Sequence, residues 1–416
     1  MNSTSSQSTH ESAPAAEGSG LTQVERGIMM TVLSIFSLRM LGLFMVLPVL
    51  ALYAASLPGG TPFAVGLAVG AHGISQALLQ IPYGWASDRY GRRLVVVGGL
   101  IVFAAGSFIA AISDTITGVI LGRVLQGAGA ISAVLTAVVG DHISEQRRTR
   151  AMAFVGIGIG LSFVLSLLLG PILSSRVGVK GLFMASFGMA VVGLLLALWR
   201  IPGGRIDTCK SPVTLGNVLR DRALWPLNIA IFLLHFILSA LFVSLPFVLR
   251  DQFGLDEDVQ WKTLGAIILL SIPATILLVL RSERSKDLAV AARSATFSIV
   301  LIALSMIALT MGSMSAHVGL LAVVIAGAVF FSGFNFLEAN LPARVSMAAT
   351  EERRGTALGV YASSQYLGVF AGGALAGVSV GAIGPHGGFA VSAVASVLWL
   401  FVQLSTLPKK SSSLPH

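Results

Sequence analysis

GWASDRYGRR, residues 84–93, crowds one aspartate and three arginines into its last six positions and joins two long apolar runs, 63–86 and 94–113. Each run holds about 20 residues or more, enough for ~30 Å of helix, the thickness of a bilayer core. The same unit, an apolar run closed by a short polar turn, recurs near 28–56, 117–140, 151–175 and 180–199, and after a polar break near 224–249, 261–280, 288–311, 317–343, 355–383 and 388–407. Of the 416 residues, 55% are hydrophobic and only 11% charged, with a mean hydropathy of +0.86, which excludes a water-soluble domain. In lipid every backbone polar group needs an internal partner, and runs this long satisfy that as helices rather than as the short alternating strands of a barrel. The fold class is an all-α membrane protein of twelve transmembrane helices, with both termini on one side.

Lysine and arginine stay on the cytoplasmic side of short loops. Here 21 of the 27 fall on the terminal side, among them Arg26, Arg89, Arg92, Arg93, Arg147, Arg148, Arg200, Arg281, Arg353 and Arg354. Only Arg176, Lys180, Arg250 and Lys262 face the other way, and Arg39 and Arg123 lie inside spans. Both termini are therefore expected in the cytoplasm. The net charge of +9 is spread over these loops, which suits topology and anionic lipid rather than nucleic acid. The single cysteine, Cys209, excludes an internal disulfide. The Ser/Thr-rich start MNSTSSQSTHESAPAAEGSG, residues 1–20, has neither a basic segment nor an apolar core and reads as a disordered tail rather than a signal peptide.

The break IPGGRIDTCKSPVTLGNVLRDR divides the chain, and two internal matches support a duplication. LFMVLPVL at 43–50 aligns with LFVSLPFVL at 241–249, Pro48 over Pro246, and EQRRTRAMAF at 145–154 aligns with EERRGTALGV at 351–360. The expected organisation is an N-terminal tail (1–25), a six-helix bundle (26–200), a cytoplasmic linker (201–222), a second six-helix bundle (223–407) and a C-terminal tail (408–416). Duplicated twelve-helix proteins commonly transport by rocking one half against the other around a midplane site.

The motif now carries a family resemblance. Gly84, Asp88, Arg89, Gly91, Arg92 and Arg93 match G-x-x-x-D-R-x-G-R-R, and the chain resembles the major facilitator superfamily, of the drug:proton antiporter type. LGRVLQGAGA at 121–130 resembles that family's helix 4 motif, and Gly170-Pro171 in LSLLLGPILSS its helix 5 antiporter mark, although Ser174 and Ser175 stand where the family has a second glycine pair. The resemblance implies the major facilitator fold in a bacterial inner membrane, a monomer, with helices 1, 4, 7 and 10 lining the cavity. It also implies a latch on the cytoplasmic face, in which Asp88 meets the N-terminus of helix 11 and Arg92 bridges to Asp141. A carboxylate suits a helix N-terminus, Gly91 a tight turn, and Gly84 a close backbone approach. The matching loop of the second half, LRSERSKDLA at 280–289, keeps mixed charge but not the motif order.

Ionisable residues inside spans are costly and mark function by default. They are Arg39, His72, Arg123, His235 and Glu338. Glu338 is the only acid deep in a span, with Asn335 three residues away on the same helix face. Glu338 and His235 are the proton-coupling candidates. Arg39, Phe44, His72, Gln76, Arg123, Gln126, Asn335, Tyr361 and Gln365 are the candidates for a substrate cavity. Arg39 and Arg123 need compensation that one acid cannot give both, and the excess of positive charge favours anionic or neutral polar substrates, while Phe44, Phe232, Phe236, Phe334 and Phe336 would accept lipophilic ones. Glycines 368, 372, 373 and 377 of helix 11 permit close helix crossing.

No zinc-spaced Cys/His set, nucleophile elbow or P-loop occurs, so neither an enzyme nor an ATP-driven pump is expected, and no cofactor or metal. The expected activity is proton-coupled efflux of a small molecule. Symport, uniport, and a non-transporting sensor with the same fold stay open.

Overall fold

Threonines begin three of the spans. Thr22, Thr61 and Thr115 each accept a backbone N–H three residues on, from Glu25, Ala64 and Gly118, at 3.2–3.3 Å, satisfying donors that a helix start leaves free. The computed structural model describes residues 21–203, 215–284, 288–315, 319–350 and 353–406. The tail over 1–20, the linker stretch 204–214 with Cys209, and positions 285–287, 316–318, 351–352 and 407–416 lie outside them.

Span 1 consists of α1 (Gln23–Phe44) and α2 (Leu47–Ser56), and spans 2 and 3 are α3 (Pro62–Tyr90) and α4 (Arg92–Ile112). Span 4 combines α5 (Ile116–Ala128) with α6 (Ser132–His142), and α7 (Glu145–Arg200) carries spans 5 and 6. After a short α8 (Leu215–Leu219) come α9 (Trp225–Phe253), α10 (Glu257–Arg284), α11 (Leu288–Ser313), α12 (Leu320–Ala348), α13 (Arg354–Ile383) and α14 (Gly387–Thr406), which are spans 7 to 12.

The segmentation expected from the apolar runs changes in two respects. Spans 1 and 4 are each broken, at 45–46 and at 129–131. Pro48 has no N–H to continue the ladder in the first, and Gly129 leaves helical geometry in the second, at φ −75°, ψ 51°. Conversely, α7 runs for 56 residues and departs from helical geometry only at Gly178, φ 68°. At ~1.5 Å per residue it would measure over twice a bilayer core if straight, so it is two spans folded at that glycine. Among the described residues eleven helices are long and apolar enough to cross a membrane, and α7 counting double makes twelve spans in two six-helix bundles.

The face carrying the chain ends is the basic face, and the other is the far face. Toward the far face one apolar core unites both halves, taking Leu50, Ala54, Val65 and Leu167 from the first and Ile237, Phe242, Ile267 and Phe330 from the second. Toward the basic face the first half has its own core, built on Val32, Ile35, Leu100, Leu135 and Val138. The bundles therefore meet at the far face and part at the basic face. Spans 2 and 11 make the tightest meeting. A Cβ on Gly66 would overlap the Gly373 carbonyl, and one on Gly73 the Tyr366 carbonyl, so backbone lies directly on backbone. Span 11 turns its other glycines, 368 and 372, to the carbonyls of Phe232 and Phe236 on span 7.

Candidate functional site

Gly91, at φ 97°, ends α3 and starts α4 in one residue, a conformation that a side chain resists. This turn aims Arg92 inward. Its Nη1 meets Asp88 Oδ1 and Ser87 Oγ at 2.5 Å, and its Nε donates to Asp141 Oδ2 at 2.8 Å. Asp141 is 5% exposed and Asp88 is 56% exposed. Arg89 lies over the rings of Trp85 and Tyr90, and Arg93 lies near Gly203. The other half of the expected latch is not assembled in this arrangement. Asp88 is paired with Arg92 on its own half, and a Cβ on Gly84 would meet nothing within 4 Å, because the halves are parted on this face.

The two intramembrane arginines are held inside the first half. Arg39, 1% exposed, donates to Gln76 Oε1 at 3.0 Å and to Ser132 Oγ at 3.3 Å, lies 5.7 Å from the centre of the Phe103 ring, and has the Tyr366 hydroxyl of span 11 beside it. Arg123, fully buried, donates to the carbonyls of Leu43, Ala68 and Val69 at 3.2–3.5 Å and to Gln126 Oε1 at 2.9 Å, and it meets His72 Nδ1 at 2.7 Å. Gln126 in turn donates to Ser107 Oγ. The break in span 1 explains this. It strands the carbonyls of Gly42 and Leu43, which Ser186 and Arg123 then take up. Arg123, Gln126 and His72 thus face one another and the backbone, and Gln76 faces Arg39.

Replacing Arg123 with Met, of similar length, leaves the Leu43 carbonyl at the span 1 break without its donor and removes the second donor of the Ala68 and Val69 carbonyls. The expected loss is roughly 2 kcal/mol or more, seen as a lower melting temperature in detergent, with Arg39→Met losing less because it frees no backbone carbonyl.

The second half supplies the group that does reach the space between the bundles. Glu338 on span 10 is 37% exposed and its Oε2 lies 3.7 Å from His235 Nε2 on span 7. Gln365 of span 11 stands between them, its Nε2 2.8 Å from His235 Nε2 and 3.3 Å from Glu338 Oε1. Asn335 is half-buried on the face of Glu338, while Tyr361 is buried with its hydroxyl unpaired. Phe44, Phe163 and Phe334 form an aromatic row across the bundles at 5.1 and 6.1 Å, and Phe334 lies 5.7 Å from His235. Phe163 and Tyr366 are absent from the sequence-derived set. Tyr366, a phenol within a glycine-rich apolar helix, carried a signal of its own. Phe163 carried none. Gly170 lets span 5 rest on the break in span 1, since a Cβ there would overlap the Met45 carbonyl, and Pro171 follows within the continuing helix.

The Major Facilitator Superfamily model matches residues 32–344. The inner membrane transport protein YajR of Escherichia coli K12 is 39% identical over 374 residues, 89% of this chain and 81% of that one. A multidrug resistance protein B homolog of Mycobacterium tuberculosis is 32% identical over 124 residues, 29% of this chain and 23% of its own. The crystal structure of the nucleoside transporter NupG superposes with a TM-score of 0.69 at 13% identity, over 93% of this chain and all of that one.

Proposed function

Since the chain belongs to the Major Facilitator Superfamily and is one of its multi-pass membrane transporters, not an enzyme, we propose that it exports a small molecule in exchange for protons. The observation that carries this reading is Glu338, a carboxylate 37% exposed between two bundles that can rock. In the proposed cycle Glu338 and His235 hold protons or yield them to substrate, and the bundles alternate between parting at the basic face and parting at the far face. The basic face is the cytoplasmic one by its lysine and arginine excess, so the arrangement described here is open inward. The protein works as a monomer.

The substrate class follows from what the space between the bundles offers. Arg123 spends its charge inside the first half and Arg39, 1% exposed, spends its on Gln76, Ser132 and Tyr366, so the cation excess legible in the composition does not reach substrate. An aromatic row beside one carboxylate suits a lipophilic cation that competes with protons for Glu338. The multidrug resistance relative, matched over 29% of this chain, agrees with export of small molecules. The test is proton release from proteoliposomes on adding lipophilic cations, with organic anions and sugars alongside. Release with cations supports the reading, and release with anions alone overturns the substrate class.

Asp88 and Arg92 serve in this cycle as the inward-side latch, engaged with span 11 when the halves close on the basic face. Asp88→Asn is expected to slow transport several-fold at unchanged membrane level. Unchanged transport at equal protein on an immunoblot would remove the latch role.

A further inference from the structure

Gln365 is hydrogen-bonded to both proton candidates, and the chemistry of its neighbours dictates how its amide faces. His235 Nδ1 lies 3.3 Å from the Ile231 carbonyl, which can only accept, so Nδ1 carries the ring proton and Nε2 of the neutral ring is an acceptor. Ionised Glu338 is also acceptor-only. One NH2 group with two hydrogens serves both, as Gln365 Nε2 does at 2.8 and 3.3 Å.

Protonation treats the two partners differently. Glu338 can take a proton on Oε2, which has no hydrogen bond, and still accept from Gln365 at Oε1. A proton on His235 Nε2 would instead point at the amide hydrogen. Glu338 Oε2, at 3.7 Å, is beyond hydrogen-bond reach while Gln365 stands between them, so the proton is hydrogen-bonded only if the amide turns over, and the amide oxygen then faces Glu338 Oε1, which must carry a proton to meet it.

We infer that Gln365 sets the order of proton uptake, so that Glu338 fills first and His235 second, and no imidazolium forms beside an ionised Glu338. The inference rests on the proposed coupling role of this pair and adds its stoichiometry, two protons per fully loaded site. The groups around the pair are Tyr361 and Tyr366 of span 11, both within reach of the Glu338 charge, with Tyr366 turned to Arg39 of span 1. His72 of span 2 is engaged with Arg123 in the other half, and Arg344 lies farther along span 10 toward the basic face. Gln365 also sits on the helix that crosses span 2, where Ser363 donates to the Ala77 carbonyl at 3.1 Å, so a turn of its amide is made at the contact between the halves.

Infrared difference spectra of the full-length protein in liposomes, taken as pH is lowered, test this without any substrate, with Glu338→Gln and His235→Gln assigning the carboxyl and imidazolium bands. The expected wild-type result is a protonated-carboxyl band that rises before the imidazolium bands as pH falls. Imidazolium appearing while Glu338 is still ionised overturns the inference. In Gln365→Leu the order should collapse into a direct His235–Glu338 ion pair, and retention of the wild-type order there also overturns it. A correct order of bands with no substrate-driven proton release would leave the inference standing and remove the coupled-export reading instead.

Discussion

Glutamine in place of Glu338 is expected to abolish substrate-driven proton release. The amide keeps the size of the side chain but cannot ionise, so the site loses the carboxylate it presents between the bundles. Coupled flux should fall by ~100-fold or more, equivalent to at least ~2.7 kcal/mol of lost driving interaction at the rate-limiting step. Folding should not suffer. Glu338 Oε2 has no hydrogen bond, and removing an under-partnered carboxylate from an apolar setting relieves a desolvation cost. The expected pattern in proteoliposomes is therefore a melting temperature equal to or above wild type together with absent proton release. If Glu338→Gln releases protons at the wild-type rate, the carboxylate is not the coupling group.

Valine at Gly373 is expected to have the largest effect on the architecture. A Cβ there would lie 2.6 Å from the Gly66 carbonyl oxygen and 2.9 Å from the Gly70 nitrogen, and backbone cannot swing aside as a flexible side chain can. Overpacking of this kind costs typically ~1–3 kcal/mol, and here it falls on the contact that closes the far face. The population should shift toward a state open on that face, seen as increased labelling of cysteines introduced on the far-face ends of spans 2 and 11. Gly381→Ala and Gly156→Ala are the matched controls. The first would meet Pro62 Cβ and Cγ at ordinary contact distances of 3.5 and 3.8 Å and the second nothing within 4 Å, so both should label as wild type. Equal labelling of Gly373→Val and these controls would show that the glycine contact does not hold the face shut.

Twelve apolar runs, the duplication and the basic side were legible because each rests on many residues at once. The breaks in spans 1 and 4 were not. Pro48 marks one, yet Pro246 and Pro342 lie inside helices that continue through them. A helix breaks inside a span only where other groups donate to the carbonyls left free at the break, and Arg123 and Ser186, which do so here, come from spans distant in sequence. The same distance hid the destiny of the arginines. Composition counted them as unpaired charge, whereas carbonyls and amides of spans 1, 2 and 4 surround them. Glu338 could be singled out as the deep acid, but not Gln365 as its companion, since one of several intramembrane amides becomes special only through what it touches.

The one-residue reversal at Gly178 bears on how the protein enters the membrane in the first place. With no loop between them, spans 5 and 6 cannot be threaded one after the other, and they should leave the insertion machinery as a single hairpin. Arg176 and Lys180 flank that reversal and travel at its tip, two of the four cations that must cross the hydrocarbon during synthesis. A cation on a lone helix centre costs ~2.5–3.5 kcal/mol to insert, so the apolar flanks of both spans are needed together to draw the pair through. Truncating a nascent chain after residue 177 should leave span 5 poorly inserted, and extending it through residue 200 should restore it.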